Sequence, residues 1–239
     1  MTMTRTTATP RHARFVRVTH WLTAIAFLAL LITGVEVLLS HPRFYWGETG
    51  NVNTAPLFTI PVPSSRGTVP TGYKYVLPDQ NGWSRFLHFQ AAWLALITGV
   101  WYLIAGLRTG HFGRNLVPTK PDRSWRALGS SLVEHVRLKR SAFGDLSSYN
   151  ALQRLSYLLV VFVLFPLVIW TGLAMAPAFT AVFPWTVTSL GGRQSARTIH
   201  FFVTIALVLF TLVHVVMVIL AGFGPRVRAM ITGASETPS

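Results

Sequence analysis

The chain has 239 residues, of which 51% are hydrophobic and only 12% charged, with 21 Lys/Arg against 7 Asp/Glu. So few charges on so apolar a chain exclude an ordinary soluble domain. The net charge of +14 does not read as a nucleic-acid footprint, because the basic residues gather in alternate connections, and the absence of cysteine excludes disulfides, iron–sulfur ligation and thioether attachment of a cofactor.

Four apolar windows, about 18–39, 86–107, 152–176 and 199–223, each approach the ~20 residues that a bilayer core requires. The segments ending at Arg17, from Arg108 to Arg154 and beyond Pro225 hold 15 of the 21 Lys/Arg; Arg43, Arg66, Lys74, Arg85, Arg193 and Arg197 make up the rest. The positive-inside rule then places both termini and the middle connection in the cytoplasm and the other two connections outside. The expectation is an all-α membrane protein, a bundle of four transmembrane helices over residues 15–225. A flexible basic tail (1–14) precedes it and a cytoplasmic tail (226–239) follows.

The first helix opens at Arg17-Val-Thr-His20-Trp21. Its apolar run is too long for a signal peptide and lacks an Ala-x-Ala exit, so it reads as an uncleaved span. The outer connection from Ser40 to Gly82 is rich in Pro, Gly and aromatics, as in His41-Pro-Arg-Phe-Tyr45-Trp46-Gly47, and reads as an ordered docking surface. The second helix begins Arg85-Phe-Leu-His88-Phe89, and its Leu96-Ile-Thr98-Gly99-Val100 echoes Leu31-Ile-Thr33-Gly34-Val35 in the first. In the basic middle connection, Trp125, Leu128, Leu132 and Val136 have the spacing of a surface helix over Ser124 to Lys139. The third helix opens at Tyr149-Asn150-Ala-Leu-Gln153-Arg154 and carries Pro166, where a kink is expected. The fourth has no charge from Thr198 to Pro225 and carries His200 and His214 on nearly one face, about 21 Å apart along the axis.

Histidine in hydrocarbon is costly because its ring nitrogens need partners that lipid cannot supply. Sorted by depth, His20 and His214 lie near the inner face, and His88 and His200 near the outer. Two such pairs on facing helices are what two low-spin, non-covalently held b-type haems need as axial iron ligands. Arg17, Arg85 and Arg197 each precede a histidine by three residues, sharing its helix face where a haem propionate would need a cation. The alternatives are histidines serving as polar glue between helices, with the arginines as interfacial anchors, or a zinc site, which would cluster its ligands at one depth. Gly34, Gly99, Gly106 and Gly172 either let helices approach or make room for a porphyrin edge. His12, His41, His111 and His135 lie in connections or tails and read as solvated.

Over about residues 14–224, and most specifically at the His20, His88 and His200/His214 segments and Tyr149-Asn-Ala-Leu-Gln153, the chain resembles the dihaem b-type cytochromes of the bacterial inner membrane. These anchor periplasmic nickel–iron hydrogenase, formate dehydrogenase and thiosulfate reductase. The resemblance implies electron transfer between a periplasmic oxidoreductase partner, of molybdopterin type from the His41–Gly47 segment, and a membrane quinone. It also implies a quinone site at Asn150 and His214, although the formate enzyme's motif has Gly where this chain has Leu152; an N-cap role for Asn150 is the competing reading. His12 and Arg154 are further candidates for handling the quinone's protons. A stand-alone superoxide:quinone oxidoreductase of the same fold, with Arg85, Arg193 and Arg197 steering the anion, is the alternative function. A haem-free transporter or channel with histidines along its pathway is a third.

Overall fold

A computed structural model describes residues 12–51, 53–61, 82–117 and 151–233, with side chains from 154 onward in the last stretch. Helix α1 spans Arg14–Ser40, and a two-residue ribbon pairs β1 (Arg43–Phe44) antiparallel with β2 (Phe58–Thr59), Arg43 opposite Thr59 and Phe44 opposite Phe58. Helix α2 spans Trp83–Arg108 and is followed by a π-helical turn at Phe112–Leu116. Helices α3 (Ala151–Leu159) and α4 (Phe165–Met175) flank a second π-helical turn, Val160–Leu164. The short helices α5 (Pro177–Val182) and α6 (Trp185–Thr188) lead to α7 (Arg193–Leu220) and α8 (Phe223–Thr232).

Four of these stretches, Arg14–Ser40, Trp83–Arg108, Arg154–Met175 and Arg193–Leu220, are long and apolar enough to cross a membrane. The kink expected at Pro166 takes the form of the π-helical turn just before it. Proline has no N–H for the carbonyl four residues back and its ring crowds that carbonyl, and a wider turn relieves both problems. The segment expected as a tail from residue 226 begins as helix, since α8 runs to Thr232. The connection between α1 and α2 carries the β ribbon, an addition to the all-α expectation. Asn150, His135 and the helix expected at 124–139 lie outside the described residues.

The chain divides into two compact units, with boundaries inside the long helices. The first comprises Met1–Trp21, Thr98–Val160 and Leu209–Ser239. In it the Arg17 guanidinium donates to the Ile231 carbonyl (2.9 Å) and the Trp21 indole to Met230 (3.2 Å), so both satisfy carbonyls of the last turn of α8. Gly233, in the left-handed conformation, ends that helix. Phe112 is buried against Gly106, where a Cβ would strike its ring.

The second unit comprises Leu22–Ile97 and Val161–Val208. Its largest fully buried side chains are Thr33, Thr171, Thr198 and Ser195, while Ile25, Ile32 and Ile97 are more than half exposed. Small polar residues inside and large apolar ones outside is the arrangement expected in lipid, where there is no hydrophobic drive to bury leucine and close helix approach is the main gain. The connection after α1 closes the start of α7. The Gly47 carbonyl accepts from the Gln194 and Ser195 N–H groups (2.9 and 3.2 Å), and the Gly47 N–H donates to the Ser195 hydroxyl (2.8 Å). The Thr198 hydroxyl donates to the Tyr45 carbonyl (2.7 Å). Phe44 and Phe58 of the ribbon stack at 4.7 Å and pack on Phe201.

This closure relies on Gly192, whose φ of +116° suits glycine alone and whose added Cβ would collide with the Gly47 and Glu48 backbone. Gly222 also has a positive φ of 97° but faces open space. Thermal unfolding in detergent is expected to show Gly192→Ala losing about 1–3 kcal/mol of stability or more, because strain and collision add, and Gly222→Ala losing less. Equal losses would show that the contact with Gly47 is not what demands glycine.

Candidate functional site

In the second unit, His88 of α2 and His200 of α7 face each other with ring centroids 6.4 Å apart and planes at 60°. Each is seated in the same way by a Thr-Gly pair on another helix. His88 Nδ1 lies 2.9 Å from the Thr33 hydroxyl of α1, and His200 Nδ1 lies 2.9 Å from the Thr171 hydroxyl of α4. A Cβ on Gly34 would sit 3.6 Å from Cε1 of His88, and one on Gly172 would sit 3.6 Å from Cε1 of His200. The glycine lets the imidazole edge lie over the helix surface; the adjacent threonine meets its nitrogen.

The hydrogen positions follow from counting donors. The Thr33 hydroxyl is 2.6 Å from the Ala29 carbonyl and the Thr171 hydroxyl 2.8 Å from the Leu167 carbonyl. Carbonyls only accept, so each hydroxyl spends its one proton on its own helix and can only accept from the histidine. Both imidazoles therefore carry the proton on Nδ1 and leave the Nε2 lone pair free for a metal.

In the first unit, His20 of α1 and His214 of α7 face each other at 6.3 Å, with planes at 56°. Their recorded neighbours are aromatic: Trp21 is edge-on to His20 at 5.2 Å, Phe210 stacks on His214 at 5.9 Å, and Tyr157 is edge-on to His214 at 6.5 Å. His20 Nδ1 is buried with no hydrogen-bond partner among the described residues.

These distances test whether an iron porphyrin suits the residues. An imidazole nitrogen lies about 2 Å from a metal it binds and about 1.1 Å from its own ring centre, so two imidazoles on opposite sides of one iron have centroids about 6 Å apart. Both pairs meet that condition. Among the described residues no three or more His, Cys, Asp or Glu gather as a metal cluster, which leaves the zinc alternative without a site there.

Of the three arginines, Arg17 donates to Ile231, and Arg197 donates to the carbonyls of Arg43 (2.9 Å) and His41 while its guanidinium lies over the Phe44 ring. Arg85 is exposed. The three described histidines expected in solvent, His12, His41 and His111, are half-buried instead. His41 is held below its ordinary pKa first by burial and then by the Arg197 charge. His111, lowered by burial and then by Arg114, stands among Phe15, Tyr102 and Phe112 and meets the Asn115 amide at 2.9 Å. The four glycines have different roles: Gly34 and Gly172 seat imidazoles, Gly106 admits Phe112, and Gly99 has nothing within 4 Å.

Thr33 and Thr171 were not among the residues singled out from the sequence. The signal was present as a Thr-Gly pair followed in the next long helix by Arg-x-x-His, once as Thr33-Gly34 with Arg85 and His88 and again as Thr171-Gly172 with Arg197 and His200. The echo between Thr33-Gly34 and Thr98-Gly99 drew attention to the wrong second copy.

A family model described as prokaryotic cytochrome b561 matches residues 11–233. The putative protein-methionine-sulfoxide reductase subunit YedZ1 of Azospira oryzae is 33% identical over 228 residues, covering 93% of this chain and 96% of that protein. No solved structure gives a significant match.

Gly172→Ala is expected to keep full haem absorbance per chain, since a Cβ at 3.6 Å is an ordinary contact, whereas Gly172→Leu displaces His200 and loses absorbance. Retention of the wild-type spectrum by the leucine variant would contradict the seating described here.

Proposed function

The chain belongs to the prokaryotic cytochrome b561 family, and within it we propose a dihaem cytochrome that carries electrons between the membrane quinone pool and a periplasmic oxidoreductase. Membership makes the chain a multi-pass membrane cytochrome b working in electron transport as an oxidoreductase subunit. The finer reading places one haem between His20 and His214, the other between His88 and His200, and the protein in the inner membrane. The observation that carries it is the two pairs of facing imidazoles, at 6.3 and 6.4 Å.

When bound, each haem would supply a one-electron ferric/ferrous couple, and two histidines holding it would leave no open site for oxygen. The chain contributes placement. Thr33 and Thr171 present Nε2 of His88 and His200, and the apolar spans exclude water from both pairs. Arg85, exposed three residues before His88, is free to meet a propionate. Arg17 and Arg197 would share their remaining N–H groups between propionates and the carbonyls they already hold.

The likeness to a subunit of a putative protein-methionine-sulfoxide reductase supports a periplasmic reductase as the partner, with a molybdopterin centre following from the resemblance at His41–Gly47. A quinol would give up two electrons and two protons at the site for which the resemblance implies His214 and Asn150, and sulfoxide reduction on the partner would take up the same number with release of water. The superoxide alternative asks Arg85, Arg193 and Arg197 to steer an anion; Glu48, 3.9 Å from Arg193, offsets that charge, and Arg197 is half-buried, which leaves Arg85 the best placed of the three.

Purified protein is expected to contain two b-type haems per chain by pyridine haemochrome assay, with His200→Ala and His214→Ala each losing one. A quinol should reduce both haems, and the periplasmic partner should reoxidise them. A colourless folded protein would refute the reading, and rapid reduction by superoxide with none by quinol would favour the alternative.

A further inference from the structure

The two histidine pairs have like spacing and unlike surroundings. At His88 and His200 a threonine oxygen lies 2.9 Å from Nδ1, with a backbone carbonyl of the same helix, Leu30 or Val168, as a further acceptor of the ring N–H. Both threonines are fully buried, so water does not compete for the bond. At the other pair, His20 Nδ1 is buried with no acceptor among the described residues, and the recorded neighbours of both rings are aromatic.

A hydrogen bond accepted from Nδ1–H pushes electron density toward Nε2 and makes it a stronger donor to iron. A stronger donor stabilises the ferric state over the ferrous and lowers the reduction potential. The effect is largest where the bond is buried and both axial ligands make it, which is the situation at His88 and His200. Simple helix packing does not explain the arrangement, because filling the space beside Gly34 and Gly172 requires bulk and not an oxygen aimed at a ring nitrogen.

Building on the dihaem reading, we infer that Thr33 and Thr171 are positioning residues. By accepting the Nδ1–H of His88 and His200 they fix those rings and give the haem held there a lower potential than the haem held by His20 and His214. The two sites are then electronically distinct, and an electron shared between them at equilibrium resides at the His20/His214 site.

The test is a redox titration of the visible haem bands in the purified full-length protein, with haem per chain measured first, for wild type and for Thr33→Val, Thr171→Val, Thr33→Ser and Thr171→Ser. The wild type should show two potentials. Each valine variant, similar in shape but with only the backbone carbonyl left as acceptor, should raise the lower one by a roughly tenfold change in ferric preference, about 59 mV for one electron, and leave the higher one in place. The serine variants should retain the wild-type value, and low-spin ferric EPR signals should change for the same haem in the valine variants alone. If valine prevents haem binding, Thr33→Ala and Thr171→Ala decide by the same readout. Two haems with unmoved potentials, a shift confined to the higher-potential haem, or serine behaving as valine would each overturn this inference alone. A wild type with fewer than two haems would overturn the dihaem reading and this inference with it.

Discussion

An imidazole within a hydrocarbon layer must have both ring nitrogens accounted for, and much of the second unit can be understood from that constraint. Thr33 and Thr171 meet it on the Nδ1 side of His88 and His200 without adding a second unsatisfied group, because each hydroxyl proton returns to its own helix backbone. The glycine beside each threonine lets the ring come close enough for the bond. Small hydroxyl residues consequently occupy the deepest positions, and the large aliphatic side chains turn outward to lipid.

The repeated Arg-x-x-His spacing takes on a second meaning in three dimensions. Arg197 holds the carbonyls of Arg43 and His41, and Arg17 holds the carbonyl of Ile231. In both cases a guanidinium three residues before a paired histidine ties a segment outside the spans, the connection after α1 or the last turn of α8, to the helix that carries it. The fork geometry of arginine suits this use, since one side chain can serve several carbonyls and still present donors elsewhere. At the start of α7 the Gly47 carbonyl and the Thr198 hydroxyl reinforce the tie, so the Gln194 and Ser195 N–H groups of the helix bearing His200 are satisfied by protein.

Four spans and the pairing of His20 with His214 and of His88 with His200 were legible from the sequence, because these depend on local quantities: the length of uncharged runs and the 1.5 Å rise of a helix. Pro166 was equally legible as a disruption, since its missing N–H is a property of one residue. The helix at Phe223–Thr232 was not. With two arginines and a flanking glycine at each end it reads as a tail, and the contacts from Arg17 and Trp21 that satisfy its last carbonyls come from residues some 210 positions earlier.

Chain order and composition by themselves determined that this is a membrane-spanning protein with paired histidines on its apolar helices, because burying charge or leaving imidazole alone in lipid costs too much to occur without reason. Only the tertiary structure decided which threonine meets which histidine. Thr33, Thr98 and Thr171 each precede a glycine in an apolar helix and are alike in one dimension. What separates them is the rotation of one helix against its neighbour, and that is set by packing of whole faces and not by any residue's own preference.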